Sequence, residues 1–338
     1  MRAGFFAISL LTAIVCASSS LEASSPDAPK ANNTYLRPIG TEHQSVYWTL
    51  FANADYPQVQ IAKVPLAKNS KTTTINSTLQ NNLLETSGVA FDAAGRFWIL
   101  SYTQTNGVPT SALIFNPPIT PQSVPVFTLV LSGTEDADAL AFDPSGNLWV
   151  TSPGNQSVME YIGPFGASGT LSPARILTNG VDTPFGIAVD KKANVYISNN
   201  HSTGTNSIAV MKSPYSAQPY FLDGLTNPGG LVFDADGNLY ASTNGSTAAV
   251  VRYNSNHLKS GDQPDIVDAT KLQGSYEASF AFAANGDLYA ANCGETGVVG
   301  IQVWPLGTKK FSAHLAPSVS YTNKKIKNFG CAWGIAIQ

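Results

Sequence analysis

The chain has 338 residues, of which 43% are hydrophobic and only 12% are charged, and its formal net charge is −3. This length and apolar content are sufficient for one large folded domain, and the low charge fraction argues against an intrinsically disordered chain. No basic patch stands out in the sequence, so nucleic acid is not expected as a partner.

The first residues have the pattern of a targeting segment. Arg2 supplies a positive charge, residues 5–15 form a short apolar run, and Ala17 ends a small-residue pattern at residues 15–17. This order predicts a signal peptide over residues 1–17, cleaved after Ala17, and hence a secreted or periplasmic protein. Residues 18–34 are rich in Ser, Ala, Pro and Asn and predict a flexible leader, with one folded domain over residues 35–338. No other apolar run is long enough to predict a membrane span.

A strand–turn–strand pattern recurs along the rest of the chain. In one copy, Asp143 and Gly146 flank a tight turn between two stretches of alternating hydrophobicity. The Asp143 carboxylate is expected to accept the backbone N–H two residues on, and Gly146 to adopt a positive φ. The equivalent turn positions, Asp92, Asp143, Asp190, Asp234 and Ala283, are separated by 51, 47, 44 and 49 residues. A period near 50, with two strands per copy and room for two more, predicts an all-β propeller with four-stranded blades.

The two ends of this region are complementary. Residues 333–338 match the first strand of the repeated pattern, whereas residues 44–50 match its second strand. We therefore predict six blades, with the C-terminal strand pairing with the N-terminal strands to close the ring and remove two free sheet edges.

Two turns depart from the pattern. Ala193 replaces the turn glycine, which is expected to cost about 1 kcal/mol if this position has a positive φ, unless Asn194 adopts that conformation instead. Ala283 replaces the turn aspartate and removes its side-chain hydrogen bond.

Residues 183–190 and 227–234, the latter followed by the segment 237–240, resemble NHL repeats. The wider group that they resemble includes the senescence-marker-protein/gluconolactonase-like propellers and virginiamycin B lyase. The resemblance extends over residues 44–338. It implies the six-bladed fold and leaves three kinds of function open, namely lactonase, lyase and binding module, because such propellers serve as scaffolds for all three.

In four-stranded blades, the loop before the first strand and the loop after the second strand lie on one rim, which we call the top rim. Phe185 and Trp333 are expected there as the walls of an apolar pocket. The full set of predicted ligand-binding residues on this rim is Ser87, Asp138, Phe185, Asn199 and Trp333.

A metal site is predicted at the axis. Asp138 directly precedes an inner strand, and the gluconolactonase-like resemblance implies a metal-binding aspartate at this step. Oxygen atoms from Asp138 and Glu277, with Ser87 and Asn199, would suit Ca²⁺ or Mg²⁺. Such an ion would polarise a lactone carbonyl or lower the pKa of a bound water. The equivalent positions of the other blades do not form a carboxylate ring, so solvated acidic loop residues are the alternative interpretation.

Catalysis would require Asp138 or Glu277 as acidic groups, or His201 as the general base of a lyase. The preferred interpretation is a binding scaffold for a small molecule, a glycan or a protein on the top rim, acting as a monomer. A metal-dependent lactonase-like hydrolase and a lyase similar to virginiamycin B lyase are the alternatives.

Two cysteines, Cys293 and Cys331, remain after signal-peptide removal. The blade topology places Cys293, after a second strand, beside Cys331, before an inner strand. An exported protein is exposed to oxidising conditions, so a disulfide between them is predicted, with two buried free thiols as the alternative.

Overall fold

The computed structural model describes residues 44–51, 58–75, 85–102, 107–200, 206–244, 248–270, 277–293, 299–306, 311–321 and 331–338. The signal peptide, the leader and His201 were predicted at positions that lie outside these ranges, so cleavage and export remain predictions. All the described residues belong to one compact unit, Ala31–Gln338.

The described chain folds into six antiparallel blades. Blade 6 contains β1 (Ser45–Phe51), β2 (Gln58–Lys63) and β3 (Thr73–Ile75). Blade 1 contains β4 (Glu85–Phe91), β5 (Phe97–Tyr102), β6 (Ser111–Phe115) and β7 (Phe127–Leu131). Blade 2 contains β8 (Leu140–Phe142), β9 (Leu148–Ser152), β10 (Ser157–Tyr161) and β12 (Arg175–Leu177), and a 3-10 turn at Pro153–Asn155 connects two of these strands. The additional strand β11 (Gly169–Leu171) pairs in parallel with β7 and thereby ties blade 2 to blade 1.

The remaining blades follow in chain order. Blade 3 contains β13 (Pro184–Val189), β14 (Val195–Asn199), β15 (Ser207–Met211) and β16 (Tyr220–Leu222). Blade 4 contains β17 (Pro228–Phe233), β18 (Leu239–Thr243), β19 (Ala249–Tyr253) and β20 (Ile266–Asp268). Blade 5 contains β21 (Glu277–Phe282), β22 (Leu288–Cys293), β23 (Val299–Trp304) and β24 (Val319–Tyr321). The last strand, β25 (Cys331–Ile337), is the innermost strand of blade 6.

The ring closes as predicted. β25 pairs antiparallel with β1, with Tyr47 opposite Ala336, and Ser45 and Gln338 exchange backbone hydrogen bonds of 2.7 and 3.0 Å. The innermost strands contact one another in the cyclic order β25, β4, β8, β13, β17, β21 and again β25. Blade 3 therefore lies opposite blade 6, and blade 2 lies opposite blade 5. Six apolar clusters, one between each pair of neighbouring blades, form the core. Within the described ranges, no helix has the length and apolar character needed to cross a membrane.

The turn aspartates act as predicted. Asp143 Oδ1 accepts the backbone N–H of Ser145 at 2.8 Å and of Asn147 at 2.9 Å, and Gly146 has φ +83°. In blade 5, where alanine replaces the aspartate, Asn285 Oδ1 accepts the Asp287 N–H at 3.1 Å in its place. Gln44 Oε1, from the other end of the chain, accepts the Ala284 N–H of the same turn at 2.9 Å.

Ala193 has φ +60°, so the alanine itself adopts the left-handed conformation that glycine occupies in the other turns. Replacing Ala193 with glycine is expected to raise the free energy of unfolding by about 1 kcal/mol, because the strain of a Cβ at positive φ is removed. Urea denaturation measures this change. Ala94→Gly is the matched control, since Ala94 lies in an equivalent turn and is not at positive φ; it is expected to lower stability slightly. Equal effects of the two substitutions would contradict the strain argument.

Buried hydroxyl groups connect neighbouring blades near the axis. Ser198 Oγ accepts the Gly186 N–H at 2.6 Å and donates to the Gly229 carbonyl of the next blade at 2.8 Å. The same relay runs from blade 6 to blade 1 through Thr49 and from blade 2 to blade 3 through Thr151. Each relay satisfies a backbone donor and a backbone acceptor that would be costly to leave unpaired in the core.

Candidate functional site: the axial cavity

A cavity of about 260 Å³ lies along the axis and is lined by the innermost strands of all six blades. An equivalent position in or directly before each inner strand, three residues before the last residue of that strand, carries a residue with little or no side chain. These residues are Gly88, Ala139, Gly186, Gly230, Ser279 and Gly334, and all of them line the cavity.

Close approach of neighbouring backbones explains this choice of residues. A Cβ on Gly186 would lie 2.4 Å from the Gly229 carbonyl oxygen, and one on Gly334 would lie 2.4 Å from the Ser87 carbonyl oxygen. The blades meet so tightly at this level that larger residues are sterically excluded.

Three of the five predicted ligand-binding residues line the cavity: Asp138, Phe185 and Trp333. The other two are used within the protein. Ser87 is fully buried and its Oγ donates to the Ala137 carbonyl at 2.6 Å. Asn199 is also buried; its Nδ2 donates to the Gly180 carbonyl at 2.8 Å and its Oδ1 accepts the Asp182 N–H at 3.1 Å. Both side chains hold the rim loops in place and are absent from the cavity wall.

Phe185 and Trp333 form an aromatic pair across the axis. Their ring centroids are 5.2 Å apart with an interplanar angle of 57°. The two residues come from blades 3 and 6, which lie opposite each other, and each directly precedes the small residue of its inner strand, Gly186 or Gly334. The contact therefore narrows the channel at its top end, and it supplies an apolar wall to anything bound below.

Asp138 is the acidic residue of the cavity wall. Within the described part of the chain, its carboxyl group makes neither a hydrogen bond nor an ion pair. The residue is partly buried and lines the cavity. Desolvation raises the pKa of Asp138 to about 8, and the neighbouring Asp136 carboxylate adds to the shift. At neutral pH, Asp138 is therefore mainly a neutral acid that can both donate and accept a hydrogen bond.

The described oxygen donors do not by themselves form a cation site. No three Asp, Glu, His or Cys side chains come together among the residues that the structure describes. Ca²⁺ takes six to eight oxygen ligands and Mg²⁺ six, whereas Asp138 shares its end of the cavity with two aromatic rings. Glu277 begins β21 in blade 5, opposite the blade of Asp138, but its side chain lies outside the described residues, as does His201. A metal ion bound by Asp138 and Glu277 remains a prediction.

The two cysteines lie at strand ends. Cys293 ends β22, Cys331 begins β25, and these two strands are in contact. This placement agrees with the topology from which the disulfide was inferred. Because the Cys331 side chain lies outside the described residues, the pairing itself remains a prediction.

The sequence did not reveal how much of the inner strands would face the cavity. Phe142 and Phe233 contribute to the interblade clusters. They also line the lower part of the cavity, together with Ala141 and Ala188. Small residues such as Ala141 and Ala188 fit the crowding of the inner strands at the axis.

No protein-family model matches the sequence, and no curated protein matches it significantly. Solved structures do match the fold. A 6-phosphogluconolactonase-like protein from Bacteroides fragilis is 11% identical, with a TM-score of 0.57 over 89% of this chain and 100% of that chain. A gluconolactonase from Xanthomonas campestris is 13% identical, with a TM-score of 0.53 over 85% of this chain and 89% of that chain.

Virginiamycin B lyase from Staphylococcus aureus is also similar, with 13% identity and a TM-score of 0.45 over 76% of this chain and 84% of that chain. A TM-score this low supports no conclusion about the function of this chain. At these identities, the comparisons show that the chain is a six-bladed β-propeller similar to lactonase-like propellers, and its activity has to be argued from its own residues.

Proposed function

We propose that this propeller binds a small, mainly apolar molecule in its axial cavity, with one polar group of the ligand on Asp138. The observation that carries the proposal is the Asp138 carboxylic acid in a cavity whose other described side chains, apart from Ser279, are apolar; backbone groups of the inner strands supply the remaining polar surface. Such a combination, with many apolar contacts and few polar groups that fix orientation, is typical of small-molecule sites.

The geometry restricts the ligand. A volume of about 260 Å³ is below the common range of about 300–1,000 Å³ for drug-sized ligands, so a compact ring is the best fit. The neutral acid favours a carbonyl or hydroxyl partner over a cation, because its charged form is disfavoured by burial. The inclined rings of Phe185 and Trp333 provide apolar surface at the top of the site.

A second candidate function is hydrolysis of a lactone with Asp138 as general acid. The raised pKa favours it, because an acid with a pKa of about 8 keeps its proton at neutral pH and can transfer it to a developing alkoxide. The fold similarity to gluconolactonase is compatible with this role but does not assign it.

Calorimetry with cyclohexanone, a compact ring with one carbonyl, tests the binding proposal. The wild-type protein is expected to bind one equivalent. Ala141→Leu is expected to abolish binding, because Ala141 lines the cavity and the larger side chain fills it. Asp138→Leu is expected to weaken binding about tenfold through loss of the hydrogen bond. Wild-type protein that does not bind, or binding unaffected by Ala141→Leu, would contradict the proposal.

The same preparations distinguish the second function. δ-Valerolactone is incubated with wild-type protein and with Asp138→Asn, and acid release is followed in a pH-stat. Binding without turnover supports the binding module. Turnover that is lost in Asp138→Asn supports the hydrolase.

A further inference from the structure

The second strands of five blades carry a large aromatic residue at the same place, namely Trp98, Trp149, Tyr196, Tyr240 and Tyr289, and all five are buried. These rings lie near the bottom rim, where the hairpin turns are. In three grooves, an aromatic side chain from the following blade covers the ring. Phe165 packs on Trp98 with centroids 5.2 Å apart, Tyr215 on Trp149 at 5.0 Å, and Phe311 on Tyr240 at 5.3 Å.

The groove between blades 3 and 4 lacks this covering ring. The loop after β15 is closed by a hydrogen bond from the Tyr215 N–H to the Lys212 carbonyl at 2.6 Å, and the loop after β19 by one from the His257 N–H to the Asn254 carbonyl at 2.7 Å. His257 therefore occupies in blade 4 the place of Tyr215 in blade 3. His257 is exposed, however, and does not cover Tyr196.

The two loops are anchored in the same way, which supports this equivalence. Ser213 N–H donates to Asn194 Oδ1 at 3.1 Å, and Ser255 N–H donates to Asn238 Oδ1 at 2.9 Å. The two loops are thus anchored alike, but their tips differ in conformation as well as in sequence: Ser213–Pro214 is a cis peptide and Tyr215 has φ +67°, whereas the Asn256 N–H donates to Asn254 Oδ1 at 3.0 Å.

A cavity of about 330 Å³ lies where the covering ring would be. Tyr196, Tyr220 and Phe233 contribute aromatic walls, and Leu258 closes one side. Tyr196 and Phe233 are already in edge-to-face contact, with centroids 4.9 Å apart. The volume is within the range of small-molecule sites, and the aromatic walls fit a flat ring.

Positive charge borders this aromatic cavity. Lys191, Lys192 and Lys212 line it, and Lys212 Nζ lies 5.1 Å from the centroid of the Tyr220 ring. Two carboxylates, Asp190 and Asp234, also line it. Both accept hydrogen bonds within their own turns, Asp190 from the Lys192 and Asn194 N–H groups and Asp234 from Asn238. The three ammonium groups leave a net positive charge at the mouth, which favours an anionic ligand.

We propose that the groove between blades 3 and 4 binds a small flat aromatic anion, such as an aryl carboxylate. Its ring takes the place that Tyr215 fills in the neighbouring groove, and its anionic group lies among Lys191, Lys192 and Lys212. The two cavities are distinct, although Phe233 lines both, and this inference does not depend on the function proposed for the axial cavity.

Calorimetric titration of the full chain with naphthalene-2-carboxylate tests the proposal. Saturable binding of one equivalent is expected, with an affinity about tenfold higher than for the neutral analogue naphthalen-2-ylmethanol. Added salt is expected to narrow this difference. Wild-type protein that does not bind the carboxylate, or that binds the two compounds equally, would overturn the proposal.

The double substitution Asn256→Pro/His257→Tyr gives this loop the Pro-Tyr tip of its neighbour and fills the groove from within the chain. Loss of naphthalene-2-carboxylate binding is expected in a folded variant, with a small decrease in Tm because proline removes the exposed hydrogen bond from the Asn256 N–H to Asn254 Oδ1. A second variant, Lys212→Gln, is expected to lower the affinity for the carboxylate roughly tenfold and to leave that for the neutral analogue unchanged. Ala141→Leu, which fills the axial cavity, is expected to leave the binding of naphthalene-2-carboxylate unchanged.

Three results would contradict the proposal that the groove between blades 3 and 4 binds naphthalene-2-carboxylate. Binding retained in the folded double variant would place the ligand elsewhere, as would binding lost in Ala141→Leu. Binding that appears only in His257→Gly would show that the imidazole occupies the groove itself.

Discussion

Asp138→Asn is expected to raise the free energy of unfolding by about 5 kcal/mol at pH 8. The pKa of Asp138 is about 8 in the folded protein, well above its value of about 3.9 in an unfolded chain. Between these two values, the folded state holds a proton that the unfolded state has released. The wild-type protein therefore loses stability as the pH rises from about 4 to about 8. Asparagine has no proton to release, so the variant does not share this loss.

Urea denaturation of both proteins at several pH values measures the effect. The difference is expected to be near zero below pH 4 and to reach its maximum above pH 8. Asp136→Asn is the control, because Asp136 contributes only the smaller part of the shift. Asparagine also tolerates the φ of +51° at that position. Wild-type and Asp138→Asn proteins with parallel pH profiles would show that Asp138 ionises normally in the cavity.

Gly186→Ala is expected to lower the free energy of unfolding by about 3 kcal/mol. The added Cβ would lie 2.4 Å from the Gly229 carbonyl oxygen and 3.1 Å from Ser198 Oγ, the two atoms that connect blade 3 to blade 4. Neither atom can retreat without breaking the hydroxyl relay, so the substitution should force the blades apart. A lower urea midpoint with an unchanged m-value would report this loss.

Gly166→Ala is the matched control for this substitution. Nothing lies within 4 Å of a Cβ at Gly166, and its backbone is outside the left-handed region. Its stability is expected to be unchanged or slightly higher, because alanine reduces the conformational freedom of the unfolded chain. Similar destabilisation by the two substitutions would contradict close backbone approach as the reason for glycine at position 186.

The repeating architecture could be predicted from the sequence. The hairpin turns could be predicted because Asp143 and Gly146 act within a few residues of each other, through one carboxylate and one positive φ. Closure of the ring could be predicted because residues 333–338 and 44–50 are the two complementary halves of one repeat. Both inferences rest on local chemistry and on a period, and neither requires knowledge of the packing between blades.

The roles of the rim residues depend on contacts made in the folded protein. Ser87 and Asn199 have polar side chains at the predicted level, but both find backbone partners in neighbouring loops and therefore leave the cavity wall. Phe185 and Trp333 meet because their blades lie opposite each other, which depends on the number of blades in the closed ring.

The chemistry of both candidate sites also depends on packing. The pKa of Asp138 is set by the walls that desolvate it, and these come from strands distant in sequence. The cavity beside Tyr196 exists because the equivalent loop of the next blade ends in an exposed His257 rather than in a covering aromatic ring. Buried positions and cavities arise from contacts between segments that are distant in the sequence, so they cannot be predicted from local sequence patterns.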